Sequence, residues 1–247
     1  MNKLYISILC VASLFLSACN NDDEPKIPTD AIALNMITGN NNTTIGGSDV
    51  YINSSLNFAT SYCGIADLGK KGAFNANPSL NQLAQEVAVT PGNFYQITLA
   101  RDIQSVAGAR AYPVDASYYN VYVDSWIYDK NNDIDGAKIQ YVESYPSIKE
   151  LPQWDSVINL TLRPKKDDVN VEVAEYSFPN KCKIDDDISV YGVNNSSLKD
   201  VIEIKIDENR ISFRNAAWTP GGEVEVTMLV RYESVYTRVN LKVKSSQ

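Results

Sequence analysis

No histidine occurs anywhere in the 247 residues. That absence removes catalysis that turns on an imidazole, whether Ser-His-Asp or Cys-His, together with imidazole-ligated zinc and the HExxH arrangement. Glycine-rich phosphate loops are missing too, since neither GxGxxG nor GxxxxGK[ST] can be read in the chain, so nucleotide chemistry is not expected. Positive charge is scarce: 22 Lys and Arg stand against 30 Asp and Glu, a formal net charge of -8, and no basic patch gathers. Nucleic acid and anionic lipid surfaces both require clustered cations, so neither is an expected partner. Whatever chemistry remains must use carboxylates, Lys, Tyr, Ser or Cys, and no cofactor is implied.

What is present begins with an address. Lys3 precedes an apolar run from Leu4 to Leu16 that is interrupted only by Ser7, Cys10 and Ser13. The run is too short for a permanent bilayer span and has the layout of an export signal over 1–18. Leu16-Ser17-Ala18-Cys19 resembles the lipobox of bacterial lipoproteins. That resemblance implies cleavage before Cys19, acylation of its thiol and new amine, and a mature chain held on a membrane by several acyl chains. Asn20-Asn21-Asp22-Asp23-Glu24-Pro25 offers nothing apolar to fold around, so residues 19–29 read as a solvated acidic tether. The tether is similar to the acidic export tag of surface-exposed lipoproteins of the Bacteroidota, which implies an outer-membrane protein facing the cell exterior. With Cys10 in the signal and Cys19 acylated, Cys63 and Cys182 are the one pair left for a disulfide, and two separate buried thiols are the other reading.

From Ile32 onward β-branched and aromatic residues dominate the apolar runs, and 15 tyrosines are spread along the chain, so the expected class is mostly β. Residues 30–148 read as an α+β domain with an antiparallel sheet and one short helix. Ile32–Ile37 and Asp49–Asn53 suggest a hairpin across a Gly and Asn-rich loop. Glu86–Thr90, Pro91-Gly92-Asn93 and Phe94–Ala100 suggest a second strand-turn-strand unit. The helix is expected after Pro78, where Leu80, Leu83, Ala84 and Val87 fall at helical spacing and Ser79 with Gln82 fits a capping box. Prolines near Tyr145-Pro146 and Leu151-Pro152 mark a boundary. Beyond it, residues 153–247 carry about seven short strands, which read as an immunoglobulin-like β-sandwich. In the last of these, Val235, Thr237, Val239, Leu241 and Val243 should face inward and Tyr236, Arg238, Asn240 and Lys242 outward.

The stretch Tyr118–Tyr128 is the leading binding candidate. Read with period two, one face carries Tyr119, Val121, Val123 and Ile127, while the other carries Tyr118, Asn120, Tyr122, Asp124, Trp126 and Tyr128. Flat rings interleaved with hydrogen-bonding groups suit a sugar, although core packing uses the same residues. Asp129, Asn131, Asp133 and Asp135 space oxygen atoms as calcium loops do, but Ile134 stands where the tight-turn glycine belongs and Gln140 where the last carboxylate belongs. A polar hairpin turn accounts for them equally well. Asp155-Ser156-Val157 resembles the acceptor of general O-glycosylation in this bacterial group, which implies modification at Ser156.

Ala66–Gly72, Val87–Tyr95 and Tyr122–Trp126 leading into Gly136–Tyr141 are similar to an uncharacterised family of Bacteroidota surface lipoproteins, over roughly residues 30 to 145. The resemblance implies location and fold and transfers no functional residue. The function expected from all this is non-catalytic recognition at the cell surface, with glycan as the leading ligand class. A structural or adhesive component of a surface assembly is the alternative, and a carboxylate-pair glycoside hydrolase a second one.

Overall fold

The computed structural model describes residues 25–152 and 156–246. Among the described residues, those from Ile32 onward cluster in one compact unit and those up to Ala31 in another. In the latter, the described residues make a turn closed by the Ala31 N–H on the Pro28 carbonyl.

The compact unit is mostly β. Its first half contributes β1 (Ile32–Ile37), β2 (Tyr51–Ile52), β3 (Asn57–Ala59), β4 (Cys63–Gly69), β5 (Glu86–Ala88), β6 (Phe94–Leu99), β7 (Gln104–Val106), β8 (Ala109–Pro113), β9 (Tyr118–Tyr128) and β10 (Ile134–Ser144). The second half contributes β11 (Val157–Thr161), β12 (Arg163–Lys165), β13 (Asp168–Ser177), β14 (Cys182–Ile184), β15 (Ser189–Gly192), β16 (Ile202–Asp207), β17 (Arg210–Asn215), β18 (Glu223–Tyr232) and β19 (Val235–Lys244).

An antiparallel sheet in the order β1-β10-β9-β6-β4 faces a small sheet, β2-β3-β5. Between them lies a core that includes Met36, Ile52, Phe58, Ile65, Tyr95, Ile97, Val121 and Ile139. The long β9–β10 hairpin is the one the alternation foretells. The other two expected units are not formed. β1 pairs with β10 rather than with the strand at Tyr51, and β5 pairs with β3 while β6 pairs with β4 and β9. The turn at Pro91-Gly92-Asn93 is therefore a corner between sheets.

The expected helix is absent as well: the described residues hold no α-helix, only short 3-10 turns. Gln82 sits at φ +56, a left-handed conformation that no helix interior accepts. Ala84 exchanges two backbone hydrogen bonds of 2.9 Å with Ile65, and Leu80 packs against Tyr112 and Tyr118. Tertiary partners thus override the local helical spacing.

In the second half, β12-β13-β17-β16 forms one antiparallel sheet. It shares a core with the sheet built on β18 and β19, to which Phe178, Ile211, Phe213, Val226, Val239 and Leu241 contribute. The outer edge of β18 is shared end to end by β14 and β15. The outer edge of β19 is shared by two parallel partners, β11 along Asn240–Lys244 and β8 at Val235 and Tyr236. β8 comes from the first half, so the segment 149–152 interrupts the sequence pattern while the hydrogen-bonded sheet runs on. Val235, Thr237, Val239, Leu241 and Val243 are buried as their alternation requires. Tyr236, expected outward, is buried too, because the β7–β8 hairpin brings Val106 and Ala111 against it.

Candidate functional site

The aromatic strand β9 does not keep one parity along its length. Its register with β10 runs Tyr122↔Gln140 and Val123↔Ile139, then steps to Ser125↔Lys138 and Trp126↔Ala137. Asp124 is the extra residue of a β-bulge, and past a bulge every side chain changes face. Trp126 lies opposite Ala137, a core residue, and packs against the same core as Val121 and Val123. The six candidates therefore do not form a single face. Asp124 and Tyr128 are exposed, Tyr122 and Trp126 half-buried, and Tyr118 and Asn120 buried.

What Tyr118 and Asn120 bind is the protein's own backbone. An irregular strap, residues 72–80, crosses this face of the sheet. Asn120 Nδ2 donates to the carbonyls of Phe74 (2.8 Å) and Ala76 (3.1 Å) and to Ser144 Oγ (3.2 Å). Gln96 Nε2 donates to Asn120 Oδ1 (2.9 Å) and the Asn77 carbonyl (3.1 Å), while Gln96 Oε1 accepts the Ser79 N–H. The Tyr118 hydroxyl donates to the Ala76 carbonyl at 2.7 Å, and burial pushes its pKa up to about 12, so it remains a neutral donor. Beside this network Phe74 meets Phe94 and Tyr122 edge-on, and Phe94 lies tilted against Tyr122. The approach is close: a Cβ on Gly72 would stand 2.3 Å from Phe94 Cβ. An irregular segment pressed onto a sheet leaves carbonyls that no ladder satisfies, and Gln96, Asn120 and Tyr118 satisfy them.

The remaining expected sites are placed as follows. Asp129, Asn131, Asp133 and Asp135 fall in or beside the β9–β10 turn, where the Asp129 carboxylate accepts the N–H groups of Asn131 (2.8 Å) and Asp133 (2.9 Å). Among the described residues no three His, Cys, Asp or Glu side chains group closely enough to hold a metal ion. Cys63 and Cys182 are free, buried and in two different cores, and burial raises the pKa of both thiols. Ser156 Oγ is buried without a hydrogen-bond partner, the opposite of the access a glycosyl acceptor needs. Its neighbour Asp155 and the acylation candidate Cys19 lie outside the described residues.

Surfaces that the alternation does not single out stand in the open. Trp218 is 77% exposed on the β17–β18 loop. That loop is pinned from beneath: Asn215 Oδ1 accepts the Ala217 N–H at 3.1 Å, and Asn215 Nδ2 donates to Thr219 Oγ1 at 2.9 Å and to Glu172 Oε2 at 3.1 Å. Glu172 is buried, and its carboxylate also accepts Ser245 Oγ (2.6 Å), Ser246 Oγ (2.6 Å) and the Ser246 N–H (2.8 Å). Burial alone would raise its pKa, but these hydrogen bonds outweigh it and hold the carboxyl below its ordinary value. A Trp next to Thr219-Pro220-Gly221-Gly222, a turn that cannot enter a strand, is the sequence signal that marks it as a surface ring.

A groove of about 1070 Å³ runs over β11, β13, β16 and β17. It carries Arg163, Lys205, Arg214, Glu175 and Glu203, and Arg214 already donates to both Glu203 oxygens at 2.8 Å. A second cleft, of about 460 Å³, lies beside Tyr62, a ring that is 75% exposed. Its other walls include Asp49 and Arg101.

No curated protein and no solved structure matches the chain. A family described as a domain of unknown function (DUF5036) matches residues 33–244, a span that takes in both cores and nearly all of the compact unit. The chain belongs to this DUF5036 family.

Proposed function

We propose that the chain is a lipid-anchored protein of the outer membrane, acylated at Cys19 and facing the cell exterior, whose β unit is a non-catalytic binding module with glycan as its ligand class. The observation that carries the recognition reading is the exposure of flat rings on a rigid β scaffold: Tyr62, Tyr128, Tyr145, Tyr191 and Trp218 each have more than half their surface in water. Rings left in water beside hydrogen-bonding side chains suit stacking on a sugar. The short apolar run ahead of Cys19 and the acidic tether behind it support the address. The net charge of -8 supports a partner other than nucleic acid.

Binding rather than hydrolysis is favoured by the carboxylates. Asp49, Glu86 and Glu172 are all held below their ordinary pKa, whereas a glycosidase acid must be raised. For the second half we propose an immunoglobulin-like sandwich. The strand orders β12-β13-β17-β16 and β14/β15-β18-β19 support it, because they match the ABED and CFG orders of that fold. A role in edge-to-edge assembly is less favoured, since the outer strand β16 points Glu203, Lys205 and Asp207 into solvent, and charge on an edge opposes pairing.

The test is a glycan-array and titration screen of the full chain in detergent. Saturable binding to a subset of glycans is expected. Silence across a broad panel of neutral and acidic glycans would overturn the recognition reading in favour of a structural role.

A further inference from the structure

We propose that the cleft between Tyr62, Asp49 and Arg101 is the sugar-binding site, and that it takes one neutral pyranose ring. The proposal rests on the glycan reading above and locates it away from the aromatic strand.

The cleft is built at the corner where β4 begins and β6 ends, and its walls are tied to each other. Thr60 Oγ1 donates to Asp49 Oδ1, while the N–H groups of Ser61 (2.6 Å) and Tyr62 (3.2 Å) donate to Asp49 Oδ2. Thr60 Oγ1 in turn accepts the N–H groups of Tyr62 (3.2 Å) and Cys63 (3.0 Å). The Ala100 N–H donates to the Tyr62 carbonyl at 3.0 Å, which joins the loop bearing Arg101 to the loop bearing Tyr62. The Asp49 carboxylate and the backbone that carries Tyr62 and Arg101 are thereby tied together around a space of about 460 Å³, within the range of small-ligand sites.

Two of the walls have capacity to spare. Tyr62 is 75% exposed, although its backbone is held by three of these bonds. A ring so placed offers a face to the apolar C–H side of a sugar. Asp49 is engaged by Thr60, Ser61, Tyr62 and the Cys63 thiol, so it braces the cleft and supplies its negative charge rather than free acceptor sites. The Arg101 side chain is 80% exposed, and its Nε stands 3.7 Å from Asp102 Oδ1, a loose pair that leaves the guanidinium fork available. Ring hydroxyls accept as well as donate, so an open guanidinium beside a ring face complements them. The Asp49 carboxylate in the same wall offsets the guanidinium charge, so the cleft offers no net attraction to a phosphate or carboxylate ligand. That separates this cleft from the groove over β13 and β17, where Arg214 and Glu203 already satisfy each other.

The experiment is the same screen of the full chain in detergent, run side by side with Tyr62→Ala, Arg101→Ala and Lys166→Ala, each checked by thermal melting. All three side chains are exposed, so the melts should coincide with wild type. Expected is binding to neutral glycans that weakens at least tenfold in Tyr62→Ala and several-fold in Arg101→Ala, with Lys166→Ala unchanged. Glycan binding that survives Tyr62→Ala within twofold would overturn this site and leave the recognition reading standing. Binding confined to acidic glycans would overturn the neutral-ring assignment. Wild-type silence would overturn the recognition reading and this proposal with it.

Discussion

Replacing Asn120 by leucine is the sharpest way to ask whether the mixed aromatic and polar face of β9 serves the fold or a ligand. Leucine has the same branched outline of heavy atoms, so the change removes the hydrogen bonds and sets larger methyl groups in place of the amide. Phe74 O loses its 2.8 Å donor and keeps only Ser144 Oγ at 3.4 Å. Ala76 O loses one donor and retains the Tyr118 hydroxyl at 2.7 Å. Gln96 Nε2 loses its 2.9 Å acceptor and retains Asn77 O at 3.1 Å. One or two buried groups are thus left short, at about 1–3 kcal/mol each, for a total of about 1–6 kcal/mol. In a unit of this size that lowers the thermal midpoint by about 2–24 °C. Urea denaturation and thermal melting followed by circular dichroism read it, with Asp124→Ala, an exposed change on the same strand, expected within about 0.5 kcal/mol of wild type. An Asn120→Leu protein as stable as wild type within that margin would refute the reasoning and return this face to the list of binding surfaces.

Two further outcomes follow from buried groups in the second half and the first. Glu172→Gln turns an amide N–H₂ toward Ser245, Ser246 and Asn215, all of them donors, and should lower stability at pH 7 by about 2–4 kcal/mol. Because the folded pKa of Glu172 lies below its ordinary value of 4.5, its contribution is present above that value and lost as pH falls through the folded one. The gap in urea midpoint between wild type and Glu172→Gln should therefore close under acid, and a gap constant from pH 7 to pH 3 would contradict the assignment. Cys63 and Cys182 should resist iodoacetamide in the native protein and both react in urea without reductant, as peptide mass spectrometry reads. Failure to label in urea until a reductant is added would mean that they are paired.

Period-two alternation is legible wherever a strand keeps one register, and that suffices for β9 as far as Val123 and for β16 to β19. It says nothing about which strands meet. β1 reaches β10 across a hundred residues of chain, and β5 and β6 part at a corner although a turn of hairpin composition joins them. It also fails wherever one residue is inserted: the bulge at Asp124 exchanges Trp126 and Ile127 between faces with no mark in the sequence. β13 escapes notice because its alternation sits in a charged stretch and carries Glu172 inward. The aromatic face of β9 stays open in the sequence for a deeper reason. Rings and amides arranged to hold a sugar's hydroxyls are equally fit to hold backbone carbonyls, and only the presence of the strap decides between them. The Tyr62 cleft has the opposite problem. Asp49, Tyr62 and Arg101 come from separate loops, so no local spacing joins them.

The parallel seam between β8 and β19 bears on how such chains are inherited. Sandwich domains of the second-half type are readily moved between proteins as self-sufficient modules. Here a hairpin from the first half lies along the edge of the last strand and covers Tyr236, with the Arg231 Nε donating to Val106 O at 3.0 Å and the Ala107 N–H to Asp185 Oδ2 at 3.1 Å. A recombination event that carried off residues 157–244 alone would open that edge, bare an apolar ring and orphan those polar groups. Either half, cut from the other, would therefore carry an open edge that the whole chain closes.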